Sequence, residues 1–338
     1  MIRYGILGFG HHAVRRLMPA FRGATQSQLA GLWRRDAAKA EANAREFSIP
    51  AIFATPAELC ASPEIDAVFI VSPDALHLEH VLLAAKYGKH ILCEKPLAMS
   101  ADEVRQMLAA AERANVKFGV AQNMRYNASL KLIRDWIAEG RIGKPQFAQA
   151  QFAYSATGSP RQWIYDPALA LGGPIGDVGI NCLDALRYIL GGEESARELA
   201  RITAVSTIAH TDSASGPVES HAVLGLDFAS GTMASVTVTT RAAYRSLIEV
   251  TGENGVLVCE NALTVDFPVE VVHRRGSEIL ARETLSNADA YSRMIDSFAA
   301  WIEGGEPYLA PAADALHNQQ VLDAAYQSWR TGARVAVS

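Results

Sequence analysis

The sequence has little of what marks metal, disulfide, membrane or nucleic-acid chemistry. Its four cysteines, Cys60, Cys93, Cys182 and Cys259, are widely spaced and form no CxxC pair. That argues against a disulfide framework or a zinc ribbon and leads to an expectation of reduced, buried thiols. No stretch approaches the roughly 20 consecutive apolar residues of a membrane span. The apolar residues after Met1 are too few for a signal peptide and run straight into Gly8, so a cytoplasmic protein is expected. The formal charge of −5 offers nothing to nucleic acid or to an anionic membrane. The neighbouring histidines His11-His12 and His77 with His80 have no further ligands nearby, so no metal site is expected.

What is present is a globular composition, 49% hydrophobic and 20% charged, in a chain of 338 residues, long enough for two domains. Strands are expected at 3–7, 28–33, 51–53, 66–71, 90–93 and 117–121, with helices between them. The run Asp66-Ala67-Val68-Phe69-Ile70-Val71 suits a central parallel strand covered on both faces. Leu78, Val81, Leu82 and Ala85 recur at helical spacing, and Ser100 caps the helix that follows. Six strands with intervening helices make a doubly wound parallel α/β sheet of Rossmann type over residues 1–121.

After a helix at 129–139 the pattern changes. Strands at 146–154, 220–228, 232–239, 246–251 and 256–260 follow one another with a single helix, 177–190, interrupting them. Residues 122–338 therefore read as an α+β domain with a large, open, mainly antiparallel sheet, closed by helices near 288–303 and 312–331. In 232–239 one face holds Thr232, Ala234, Val236 and Val238 and the other Met233, Ser235, Thr237 and Thr239. An uncovered face of that composition suits either a second subunit or solvent.

Three motifs carry chemistry. Gly8-Phe9-Gly10-His11-His12-Ala13 follows the first strand and opens the first helix, the G-x-G-x-x-A form of a dinucleotide fingerprint. At the end of the second strand, Arg34 stands where an acid would bind the ribose 2′-hydroxyl of NAD, with Arg35 beside it as a further cofactor-binding candidate. A guanidinium there suits a 2′-phosphate, so NADP is preferred to NAD, and Asp36 caps the next helix. Cys93-Glu94-Lys95-Pro96 follows the fifth strand, at the sheet edge where open α/β folds bind ligands. Lys95 there could exchange a proton with a substrate hydroxyl, and Pro96 restricts its backbone.

Together with Ser72-Pro73, His77 and Gly88-Lys89-His90, these motifs resemble the Gfo/Idh/MocA oxidoreductase family, which includes glucose–fructose oxidoreductase and inositol dehydrogenase. The similarity continues through 140–145, Trp163, Gly172-Gly173-Pro174, Asp177-x-Gly179 and Gly231. The resemblance implies a nicotinamide-dependent dehydrogenase or reductase acting on a polyhydroxylated sugar or cyclitol. It makes Lys95 the catalytic lysine, has Glu94 frame the nicotinamide site, and places Ser72, Pro73 and His77 along the cofactor. The family's Asp followed four residues later by His falls on Asp177 and Asn181, so the His is replaced. Asn cannot shuttle a proton, and that role passes to Lys95. Positions 177, 181 and 184 share a helical face, so Asp177, Asn181 and Asp184 are expected to line a substrate cleft with Arg125 and Trp163. The resemblance also implies a homo-oligomer, a dimer or tetramer, formed through the C-terminal sheet. A redox-neutral, NAD-dependent glycosidase and a non-enzymatic nucleotide or sugar sensor remain as alternatives.

Overall fold

The computed structural model describes residues 1–191, 198–214 and 216–338. Six parallel strands form the first sheet: β1 (Ile2–Leu7), β2 (Ser27–Trp33), β3 (Ala51–Ile52), β4 (Ala67–Ile70), β5 (His90–Cys93) and β6 (Phe118–Val120). Their spatial order is β3-β2-β1-β4-β5-β6, the doubly wound arrangement with its switch point between β1 and β4. All four residues of β4 are buried, as its unbroken apolar run requires. The connecting helices are α1 (Met18–Gly23), α2 (Ala37–Phe47), α3 (Pro56–Ala61), α4 (His77–Lys86) and α5 (Ala101–Arg113), and a π turn, Ala13–Leu17, leads into α1. Side-chain oxygens of Asp36, Thr55 and Ser100 accept from the main-chain N–H three residues on, capping α2, α3 and α5.

In α4, Val81, Ala84 and Ala85 are buried, whereas Leu82 is exposed. The buried stripe is completed by His77 and His80, which a count of apolar residues passes over.

The chain folds as two units. One takes Met1–Gln122, Ala168–Leu171 and Tyr291–Leu316, and the other Asn123–Pro167, Gly172–Ala290 and His317–Ser338. The sequence suggests one division after residue 121, but the chain re-enters the first unit twice. The second return carries α8 (Ala290–Ile302) from Tyr291 onward and the first turn of α9 (Ala312–Thr331).

The second unit is built on nine strands. They are β7 (Pro145–Ser155), β8 (Ile202–His210), β9 (His221–Phe228), β10 (Met233–Thr239), β11 (Arg241–Gly252), β12 (Val256–Glu260), β13 (Val269–Arg275), β14 (Glu278–Leu285) and β15 (Val335–Ala336). Their order is β14-β13-β12-β11-β7-β10-β9-β8-β15. All neighbours are antiparallel except β7 and β10, which run parallel, so the sheet is mixed but mainly antiparallel.

Strands β8, β13, β14 and β15 go unread in the sequence for physical reasons. An irregularity between Ile202 and Ala204 breaks the alternation of β8, and β14 is an edge strand exposed along most of its length. Helices α6 (Ala128–Ala138) and α7 (Ile180–Leu190) pack on β13 and β7. In β10, Ala234, Val236 and Val238 are buried while Met233 is exposed.

Candidate active site

The glycine turn after β1 is pinned to the end of β2, because the N–H groups of Gly8 and Phe9 both donate to the Trp33 carbonyl. Gly8 has φ +88°, and a Cβ on it would lie 2.7 Å from the Ser72 nitrogen and α-carbon. At Gly10 a Cβ would meet only the Gly8 carbonyl oxygen, at 3.7 Å. Gly8 therefore serves the fold and Gly10 leaves space above a helix start, where orphan N–H groups attract a pyrophosphate. Phe9 is buried, His11 exposed and His12 half-buried. These residues fit a dinucleotide.

Arg34 directly follows β2, and its guanidinium donates to Asn43 Oδ1 at 2.8 Å; Arg35 is exposed. Asp36 is indeed a helix cap.

Lys95 is half-buried beyond the carboxyl end of β5, and its peptide bond to Pro96 is cis. The preceding Glu94 is buried, with Oε1 3.0 Å from His12 Nε2 and Oε2 accepting from the Lys95 N–H. Burial alone would raise the Glu94 carboxyl, but His12 and Lys95 outweigh it and bring its pKa below the ordinary value. The fingerprint helix and the Glu-Lys-Pro loop are thus joined through one carboxylate. His12 also meets the Tyr291 ring edge-on.

Ser72 is buried, with its hydroxyl 2.9 Å from His80 Nδ1, and Pro73 is half-buried next to it. Burial, with a contribution from His77, pushes His80 down to about 4, so it is neutral at physiological pH. The sequence reads His80 only as a residue of the helix start that binds no metal, and its contact with Ser72 is revealed by its burial. Sequence reasoning missed Gln122 at the end of this unit, where a buried Oε1 has no hydrogen-bond partner among the described residues.

In the second unit, Asp177 lies in a π turn, Ile175–Gly179, at the entry to α7. Tyr154 on β7 donates its hydroxyl to Asp177 Oδ2 at 2.5 Å, and Arg161 Nη2 donates to Oδ1 at 3.0 Å. Burial, then the Asp177 charge, raises the Tyr154 pKa, so the phenol keeps its proton and remains a donor. Arg161 also lies over the half-buried Trp163 ring, 5.4 Å from its centroid. Neither Tyr154 nor Arg161 stands out in the sequence, since each meets Asp177 only through the fold.

Asn181 on α7 is buried, and its Oδ1 has no hydrogen-bond partner among the described residues. Asp184 departs from the expected cleft-facing row. It is fully buried and receives Arg125 Nε at 2.9 Å, Arg125 Nη2 at 2.5 Å and Asn318 Nδ2 at 2.8 Å. A carboxylate with those donors is a tie between helix and chain. Arg125 is thus brought to Asp184, and Asp177 is met by Arg161.

Two family models match this chain. An oxidoreductase family with an NAD-binding Rossmann fold covers residues 2–122, and the GFO/IDH/MocA C-terminal domain covers residues 130–258. The chain belongs to the GFO/IDH/MocA family.

This family member is 33% identical over 310 residues to 1,5-anhydro-D-fructose reductase of Ensifer adhaerens, spanning 91% of this chain and 90% of that protein. It is 29% identical over 334 residues to D-xylose 1-dehydrogenase (NADP(+)) 2 of Haloferax volcanii, 98% of each. Its fold matches the crystal structure of an aldose–aldose oxidoreductase from Caulobacter crescentus complexed with glycerol. That match has a TM-score of 0.87 at 26% identity and covers 99% of both chains. The GFO/IDH/MocA assignment makes the chain an NAD(P)-dependent oxidoreductase, with the nucleotide belonging to its first unit. All four cysteines are unpaired and buried. Among the described residues no His, Cys, Asp and Glu cluster could hold a metal, and no helix is long and apolar enough to cross a membrane.

Proposed function

We propose that this protein oxidises or reduces one carbon of a sugar or cyclitol, with Lys95 as proton donor and acceptor and NADP as the preferred nucleotide. The observation that carries the reading is the placement of Lys95. Its amine-bearing chain leaves the carboxyl edge of a Rossmann sheet, on a loop that shares Glu94 with the fingerprint helix. The nicotinamide, when bound, supplies or accepts the hydride. Gly8, Phe9, Gly10, His11 and His12 cradle the pyrophosphate, Ser72 and Pro73 border the nucleotide, and Arg34 with Arg35 meets a 2′-phosphate.

Asp177, held by Tyr154 and Arg161, is a fixed acceptor for a substrate hydroxyl. The unpartnered Asn181 Oδ1 accepts from another, since a buried acceptor without a donor is costly. Trp163 offers an apolar face to the ring, and Arg125 holds α7 in place through Asp184. Named relatives that act on xylose and anhydrofructose support the substrate class. Buried, unpaired thiols favour a cytoplasmic setting. A second copy of the chain is proposed to cover the outer face of the nine-stranded sheet.

The test is nicotinamide absorbance with NADP⁺ and NAD⁺ over a panel of aldoses, their deoxy and keto derivatives, and inositols. Turnover should fall at least ~10³-fold in Lys95→Ala while nucleotide affinity survives. Arg34→Ala should raise the NADP⁺ KM by about tenfold and leave NAD⁺ kinetics nearly unchanged. Near-normal turnover in Lys95→Ala would remove the lysine from the mechanism. Nucleotide binding with silence across the panel would favour a sensor, and sugar release without net redox change a glycosidase.

A further inference from the structure

We propose that His77 is a positioning residue that sets the place of Lys95, an inference that rests on Lys95 being the proton carrier. His77 is fully buried at the start of α4. Its Nε2 lies 2.9 Å from the Ser72 carbonyl oxygen, and its Nδ1 lies 3.1 Å and 3.2 Å from the carbonyl oxygens of Pro96 and Leu97. Both ring nitrogens therefore face main-chain oxygens, to which a neutral imidazole donates on one side and an imidazolium on both, and the side chain keeps no polar atom for a nucleotide.

The three carbonyls belong to two loops, one after β4 and one after β5. These strands are neighbours, paired from Ala67–His90 to Ile70–Cys93, and the Glu94 N–H still donates to the Ile70 carbonyl at 2.9 Å. Beyond that point the imidazole stands in for the ladder. Pro96 has no N–H with which to carry the ladder on to the Ser72 carbonyl, so that acceptor needs a donor from elsewhere. The β4 side of the staple is itself braced, because the Ser72 hydroxyl sits 2.9 Å from His80 Nδ1. The constraint therefore passes across to Pro96, whose nitrogen is the next backbone atom after the Lys95 carbonyl. A misplacement of about 1 Å at a reacting group can cost ~10²-fold in rate.

His77→Phe keeps the ring and removes both polar contacts, and His77→Gln restores one N–H donor. The measurements are kcat, KM for the sugar, and nucleotide Kd by fluorescence titration, with far-UV circular dichroism to confirm folding. The expected result is a fall in kcat of at least about tenfold for His77→Phe, a nucleotide Kd within about twofold of the parent, and partial recovery of kcat in His77→Gln. Because the effect passes through Lys95, adding His77→Phe to Lys95→Ala should not lower the residual rate further.

Unchanged kcat in folded His77→Phe would overturn the proposal, and so would a weakened nucleotide Kd with kcat intact, which would make His77 a wall of the nucleotide site. If His77→Phe does not fold, His77→Gln carries the same test, with parental kcat and a weakened Kd overturning it and lowered kcat at parental Kd supporting it. A further loss in the double variant would overturn it too. Near-normal turnover in Lys95→Ala alone would identify the Lys95 reading as the failure, and this inference would fall with it.

Discussion

Alanine at Gly8 collides with the Ser72 backbone and alanine at Gly10 does not, so the two substitutions act on different properties. Gly8→Ala also forces a side chain onto a φ of +88°, and the combined cost is about 1–3 kcal/mol. Thermal unfolding without nucleotide should show that loss. Gly10→Ala should melt with the parent yet bind nucleotide at least ~10-fold more weakly, because its methyl enters the pyrophosphate cradle. Equal melting temperatures for the two variants would show that the Gly8 collision relaxes freely. The fingerprint and the Glu-Lys-Pro motif were legible because each is a short string whose backbone demands are local. Tyr154 and Arg161 were not, because an ordinary tyrosine on a strand and an arginine in a loop gain meaning only when Asp177 arrives between them.

The entry to α7 is an assembly of pieces from three stretches of chain. Glu219 is 1% exposed, and its Oε1 accepts from the Ile175 N–H at 2.9 Å and the Tyr326 hydroxyl at 3.0 Å. A Cβ on Gly173 would lie 1.9 Å from the Glu219 carbonyl oxygen, which explains the glycine pair in this loop. Glu219→Ala leaves those buried donors unmet at a cost of about 1–3 kcal/mol, whereas Glu219→Gln keeps an acceptor and costs less. Burial raises the Glu219 pKa above 4.5, with its hydrogen bonds only partly opposing the rise. The folded state then holds a proton that the unfolded chain has released. This contribution to stability is complete below 4.5 and is lost as pH rises through the folded value. Urea midpoints measured from pH 4.5 upward should show a decline that Glu219→Gln removes, and parallel curves for the two proteins would refute it. The sequence marked Gly172-Gly173-Pro174 but not the carboxylate beneath it, which comes from 44 residues beyond Ile175 along the chain.

Over the whole molecule, the strand register aligns Met233 with Phe147 and Ile208 with Val223, and Thr237 with Val223. All four large apolar side chains therefore point to one face of the nine-stranded sheet, and all four are exposed. Toward β14 the same face carries ion pairs, Glu249 with Arg274 and Arg245 with Glu260. An exposed apolar area bordered by mixed charge is compatible with contact to a second copy of the chain. If a second copy binds there, Val223→Arg with Met233→Arg should shift the sedimentation mass of the protein to that of a monomer. A monomeric parent would dismiss the idea.

The sequence by itself determined the alternation of six parallel strands with helices in the first unit, the caps Asp36 and Ser100, the nucleotide fingerprint and the lysine loop. Each of these follows from hydrophobic period, turn chemistry or a motif within a few residues. Only the tertiary structure decided that residues 291–316 return to the first unit, that β7 and β10 run parallel, and that His77, Glu219 and Asp184 hold loops and helices together. A buried polar side chain must find its partner wherever the folded chain offers one, and closure over long separations, which no local pattern records, makes that choice.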